Sequence, residues 1–137
     1  MDTRDEQLVA ARPQIPNARI TAGMSKEEYF QNATLRPIAK LQNDLFVLVF
    51  KNYITKYKNV FYNLTIEKRL AYIDNAIYKD IKFRNSLKGI FIGQFTIKEY
   101  KNYMTNSSAF NKRMMNLTQE RLKSNLMQFE ISGEPLL

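Results

Sequence analysis

The chain has no cysteine and no histidine. Without cysteine there is no disulfide framework, no thiol redox chemistry and no zinc–thiolate site. Without histidine the commonest general base and the commonest metal ligand are both missing. Nucleophilic mechanisms of the Ser-His-Asp or Cys-His type are therefore excluded. Glycine and proline are scarce, with four of each among 137 residues, which disfavours a turn-rich β fold. Long apolar runs are also missing. The longest is Leu45-Phe46-Val47-Leu48-Val49-Phe50, far short of the ~20 residues that span a bilayer. The opening Met1-Asp2-Thr3-Arg4-Asp5-Glu6 mixes both charge signs and leads into no apolar segment. No signal peptide is expected, and the protein is expected to stay in the cytoplasm.

What is present suits one helical domain. Hydrophobic residues make up 45% of the chain, with nine Phe and eight Tyr. At this length folding hides roughly 68% of the extended chain's surface, enough for a core without covalent staples. The net charge of +8 is concentrated in the body. Residues 1–33 hold four basic and five acidic residues, residues 34–128 hold seventeen and six, and residues 129–137 hold two glutamates. Such a field favours polyanions, nucleic acid above all, or an anionic surface. A competing reading attributes the lysines to AT-rich coding, which would also enrich Asn, Ile, Tyr and Phe.

Start signals and periodicity predict an all-α fold. A short helix over 3–11 is stopped by Pro13, and the stretch to Gly23 reads as an extended arm. Ser25-Lys26-Glu27-Glu28 and Thr96-Ile97-Lys98-Glu99 each match a capping box, with Met24/Tyr29 and Phe95/Tyr100 as hydrophobic staples. Thr34, with Pro37 in the first turn, is expected to cap a long helix reaching about Lys58. Its middle is apolar all round, which marks a central buried helix. Thr65 caps a helix whose stripe is Ile66, Leu70, Ile73, Ile77 and Ile81. A short helical piece from Phe83 leads to a break or close-packing point at Gly89-Ile90-Phe91-Ile92-Gly93. After the helix from Ile97, Ser107 or Ser108 caps a last helix carrying Phe110, Met114, Met115, Leu117, Leu122, Leu126 and Phe129. The expected architecture is a compact bundle of four or five helices. Residues 1–24 form its arm, residues 25–130 the helical domain, and residues 131–137 a C-terminal tail.

Catalytic constellations are hard to find. No phosphate-binding Gly-rich loop ending in Lys-Ser or Lys-Thr exists. The acids of the body, Asp44, Glu67, Asp74, Asp80, Glu99 and Glu120, are scattered, and several sit where helix N-termini favour them. Basic clusters are more suggestive. Lys112 and Lys123 are eleven residues apart, about 20° round a helix axis, with Arg113 further round the same side. Residues 79–88 place Lys79, Lys82, Arg84 and Lys88 against the single acid Asp80. A third cluster joins Lys51, Lys56 and Lys58 with Tyr53 and Tyr57. Basic groups beside Tyr and Asn suit phosphate contacts and base stacking, although any one cluster also reads as an ordinary solvated face.

Several motifs between Phe30 and Leu117 carry a resemblance. They are Asn32-Ala33-Thr34-Leu35-Arg36-Pro37, Leu41-Gln42-Asn43-Asp44-Leu45, Lys82-Phe83-Arg84-Asn85-Ser86-Leu87-Lys88-Gly89, Gly93-Gln94-Phe95-Thr96 and Asn106-Ser107-Ser108-Ala109-Phe110-Asn111-Lys112-Arg113-Met114-Met115-Asn116. With them the chain resembles a family of small bacterial proteins often labelled "glyoxalase". Glyoxalase I enzymes bind a metal through His and Glu on paired βαβββ modules, which a chain without His and without expected strands does not supply. More distantly, it resembles a lineage-specific accessory protein of the large ribosomal subunit. That resemblance implies ribosomal RNA and ribosomal proteins as partners, with phosphate contacts at Lys82, Arg84, Asn85, Lys88, Asn111, Lys112 and Arg113.

The resulting expectation is a non-enzymatic RNA-binding protein whose contacts are Lys79, Lys82, Arg84, Lys88, Lys112, Arg113 and Lys123. No cofactor, metal ion, membrane or small-molecule substrate is expected. The alternative is a helical protein–protein interaction or regulatory domain, whose surface would be apolar or tyrosine-rich.

Overall fold

A computed structural model describes residues 3–15 and 20–129. Residues 16–19 of the expected arm and the expected tail, residues 131–137, lie outside them. The class is all-α, with no strand among the described residues. Helix α1 spans Arg4–Ala11, close to the predicted short helix. Helices α2 (Lys26–Phe30) and α3 (Arg36–Leu41) are joined without a break by a π turn, Gln31–Leu35. There follow α4 (Asn43–Lys56), α5 (Ile66–Tyr78), α6 (Ile81–Ile92), α7 (Ile97–Met104) and α8 (Ser107–Ser124). No helix among the described residues is long and apolar enough to cross a membrane.

Capping chemistry accounts for most of the starts. The Thr65 hydroxyl accepts the Lys68 N–H (3.3 Å) and so begins α5. At α7 the box is complete: Thr96 Oγ1 accepts the Glu99 N–H (3.1 Å), and Glu99 Oε1 accepts the Thr96 N–H (2.8 Å). The Ser25 box is half made. Its oxygen accepts the Glu28 N–H, but the Glu28 carboxylate takes the Ser25 hydroxyl instead of the backbone. Three expected boundaries shift. Thr34 does not cap a helix, because it is buried within the π turn. That wider turn comes immediately before Pro37, whose ring would otherwise meet the carbonyl four residues back. Ile81 does not extend the α5 stripe, because Asp80 starts a new helix there by accepting the Phe83 N–H at 3.1 Å. Asn106, not a serine, caps α8 by accepting the Ala109 N–H.

The hub is α8 and not α4. Helix α8 packs against α3, α4, α5, α6 and α7. It buries Phe110, Met114, Leu117, Thr118 and Leu122 along one stripe, the i, i+4, i+7 spacing of a core face. Helix α4 buries Phe46, Val47, Phe50 and Ile54, which fall within one ~100° sector at 3.6 residues per turn. Leu45 and Leu48 lie outside that sector and are 41% and 52% exposed. An unbroken apolar run therefore overstated the burial of α4. Gly89 is exposed inside α6, and a Cβ there would meet nothing within 4 Å. It is not the close-packing point that the Gly-x-x-x-Gly spacing suggested. Helix α8 also ends earlier than its apolar pattern, and Leu126–Phe129 continues as a 3₁₀ turn that buries Phe129.

The core is rich in aromatic rings. Phe50 meets Phe61, Tyr72, Phe83 and Phe129 at centroid distances of 5.3–6.3 Å, and a second group joins Phe30, Phe95, Tyr103 and Phe110. Each fully buried Phe contributes roughly 1.5–3 kcal/mol from the area it removes from water.

The N-terminal segment is held on its own domain by charge. Helix α1 buries no residue, yet Arg4 donates to the carbonyls of Phe95 (2.9 Å) and Gly93 (3.2 Å). Arg12 grips Glu99 with two bonds of 2.7 Å and donates to the Gln94 carbonyl, also at 2.7 Å. Thr34 adds its hydroxyl to the same carboxylate (3.2 Å). Burial alone would raise the Glu99 pKa. The bonds from Arg12, the Thr96 N–H and Thr34 outweigh it and hold the carboxyl below its ordinary range.

Candidate nucleic-acid interface

The corner between α5 and α6 organises the basic surface. Helix α5 stops at Tyr78, and Asp80 restarts the chain as α6 two residues later. Arg84 and Lys88, four residues apart on α6, are neighbours on one helix face. Helix α8 lies alongside and brings Ser108, Asn111, Lys112 and Met115 to the same place. With Tyr78 these residues line a groove of about 280 Å³ that has no acidic wall.

The groove is tied together by hydrogen bonds to neutral acceptors. Arg84 Nη1 donates to the Tyr78 carbonyl (3.3 Å), which fixes its stem and leaves most of the guanidinium available. The Tyr78 hydroxyl donates to Asn116 Oδ1 (2.6 Å), which bridges α5 to α8. Tyr103 donates to Asn111 Oδ1 (2.6 Å), which occupies the amide oxygen and not its N–H donors. Arg84, Lys88 and Lys112 have no carboxylate partner among the described residues.

The other predicted contacts lie elsewhere. Arg113 donates to Gln31 Oε1 (2.8 Å) in a separate shallow pocket that includes Glu27. Lys123 forms an ion pair with Asp74 (3.0 Å). Burial raises the Asp74 pKa, but bonds from Gln119 and Lys123 carry it below the usual carboxylate range. Lys79 and Lys82 line a second, larger groove of about 710 Å³ with Tyr53, Tyr57, Val60, Tyr72 and Ile81. The expected grouping of Tyr53 and Tyr57 with Lys51, Lys56 and Lys58 is thus replaced by Lys79 and Lys82, which α5 and α6 bring across. The α4 end turns away through a left-handed turn at Lys58 and Asn59, closed by the Asn59 N–H on the Ile54 carbonyl (3.0 Å).

Asp80 organises that second groove. Its Oδ2 accepts the hydroxyls of Tyr53 (3.0 Å) and Tyr57 (3.3 Å), while Oδ1 caps α6. The Phe83 N–H leads the interactions that hold the Asp80 pKa down. Burial, and then the bond to Asp80, push the Tyr53 hydroxyl well above its usual range.

Tyr78, Ser108 and Met115 were not foreseen from the sequence. For Tyr78 a signal existed, an aromatic residue directly before the basic run at residues 79–88. Ser108 and Met115 become neighbours of that run only when α8 docks. Among the described residues no three acidic side chains gather in one place. No protein-family model matches the chain, and comparison with curated proteins and with solved structures finds none similar at a significant level.

Proposed function

We propose that the protein is a non-enzymatic RNA-binding protein associated with the ribosome, contacting ribosomal RNA of the large subunit through its phosphates. The observation that carries this reading is the acid-free groove in which Arg84 and Lys88 of α6 meet Lys112 of α8. Cations with no internal carboxylate partner are the ones available to displace counterions from a polyanion. Ser108 and Asn111 add hydroxyl and amide donors of the kind that fix a phosphate backbone in register. Lys79 and Lys82 extend the positive surface across the α5–α6 corner.

Three neutralised phosphates correspond to a slope of about −2 to −3 in log affinity against log salt. Fluorescence anisotropy with a labelled RNA, titrated from low to moderate salt, measures that slope. The combined Arg84→Glu, Lys88→Glu and Lys112→Glu variant is expected to abolish binding while retaining the helical circular-dichroism spectrum. Salt-independent binding, or binding that survives this reversal, would sink the mechanism. Retention of a protein partner by the reversed variant would favour an interaction domain instead. Sedimentation of a cell lysate on a sucrose gradient tests the ribosomal assignment. Co-migration with the large subunit supports it, and a protein that stays at the top in every salt condition overturns it.

A further inference from the structure

We infer that the tyrosine groove accepts one unpaired nucleotide of a bound strand, with the base laid on Tyr57 and the phosphate held by Lys79 and Lys82. This rests on the RNA reading above and adds to it a preference for single-stranded over duplex segments.

The ring geometry singles out Tyr57. Tyr53 is crowded by other rings, Tyr57 (centroids 4.7 Å apart) and Phe83 (4.3 Å) in tilted contacts and Phe50 stacked at 6.1 Å. Tyr57 lies at the edge of that cluster, is 51% exposed and lines the groove, so it offers ring surface to a ligand there. A half-exposed ring normally turns freely, but here the Asp80 carboxylate holds its hydroxyl. A ring already held in place loses less conformational freedom when a base stacks on it. The groove volume of about 710 Å³ falls in the roughly 300–1,000 Å³ range of small-ligand sites.

Charge complementarity selects the occupant. Asp80 also lines the groove, but its two oxygens already accept from two tyrosine hydroxyls and the Phe83 N–H. Lys79 and Lys82 flank it and are exposed. An aromatic wall edged by two ammonium groups fits a base with its attached phosphate. The consecutive residues Tyr78 and Lys79 line the basic and the tyrosine groove respectively. A strand crossing the α5–α6 corner would therefore meet both in succession. A paired base has no free face for such a ring, whereas an unpaired one does.

The test compares a labelled single-stranded RNA with a blunt RNA duplex of equal length, using the full chain and fluorescence anisotropy. Tyr57→Ala is expected to weaken single-strand binding about tenfold, the usual scale for one lost base–aromatic stack, with duplex binding unchanged. Tyr57→Phe keeps the ring and loses only the bond to Asp80, so its single-strand affinity should fall by less than that of Tyr57→Ala. The chain has no Trp and eight Tyr, so the part of the tyrosine quenching by the single strand that is lost in Tyr57→Ala reports stacking on that ring. Melting curves establish that each variant is folded. If Tyr57→Ala leaves both affinities unchanged while the Arg84→Glu and Lys112→Glu pair loses them, the nucleotide site is wrong and the RNA reading stands. Equal weakening of both RNAs by Tyr57→Ala also overturns the site, since the ring would then act only through the fold. If the wild-type chain binds neither RNA, the RNA reading fails and the site falls with it.

Discussion

At the α1–α7 end, Arg12 is sunk to 8% exposure against a Glu99 side chain that is 18% exposed, and Arg4 is occupied by two backbone carbonyls. At the α5–α6–α8 corner, Arg84, Lys88 and Lys112 line an open groove with no carboxylate among its walls. The same residue types thus do two different jobs. Where an acid and several acceptors converge, cations act as fasteners, and their charge is cancelled locally. Where α6 and α8 run side by side without acids, the charge reaches solvent and is available to a partner. Net charge alone does not distinguish these cases, because burial and pairing decide how much of it projects outward.

The largest expected effect lies at the fastened end. Glu99→Ala removes the Arg12 and Thr34 contacts and half of the α7 capping box, and should cost about 3 kcal/mol, the lower end for breaking a buried pair. Thermal denaturation followed by circular dichroism measures it. RNA affinity per folded molecule should be unchanged, and a matched loss of affinity would erase the division between the two ends. Acid gives the same contrast. The Glu99 pKa is depressed in the folded state, so its stabilisation is fully present above the ordinary value of 4.5 and is lost as pH falls through the lower folded value. Hydrogen exchange of the α1 amides should rise over that interval. A Glu99→Gln chain should show a shallower acid dependence, and an identical dependence would remove Glu99 as its source.

A smaller effect separates two lysines of α8. Lys112→Gln should lower the salt slope of RNA binding by about 1, the value for one phosphate contact. Lys123→Gln should leave the slope alone, because Asp74 already pairs with Lys123. Its stability change should stay below about 1 kcal/mol, since both side chains are partly in solvent. Equal slope changes would mean that the pairing seen at Lys123 does not decide availability. The smallest effect is a gain. Gly89→Ala in α6 meets nothing within 4 Å and should raise stability by roughly 0.5–1 kcal/mol, with the groove on that helix unaltered. A loss on melting would show that the backbone there has a constraint of its own.

The sequence exposed the local devices and hid the tertiary ones. Thr65 and the Thr96/Glu99 box were legible because a cap acts on residues three positions away. The all-α class followed from periodicity and from scarce Gly and Pro. The α5–α6 break was masked because Ile81 continues the apolar spacing by chance, and only Asp80 marks a new start. The role of Thr34 was missed because its partner, Glu99, is 65 residues away. Of the basic residues, Arg84 and Lys88 could be placed together from their spacing. Their meeting with Lys112 and the pairing of Lys123 depend on how α8 docks, and the placing of Lys79 and Lys82 in a separate groove depends on how the α5–α6 corner meets the end of α4.

The position of α8 as hub also orders events during synthesis. Helices α3, α4, α5, α6 and α7 all rest on a segment made after them. A nascent chain that has emerged only as far as α7 has its apolar faces waiting for a partner still to be translated. Its lysines are already in place along α5 and α6, but the wall that turns Arg84 and Lys88 into one side of a groove is missing. Completion of the core and completion of the basic groove are therefore a single late event. A chain truncated before residue 107 should lose both together.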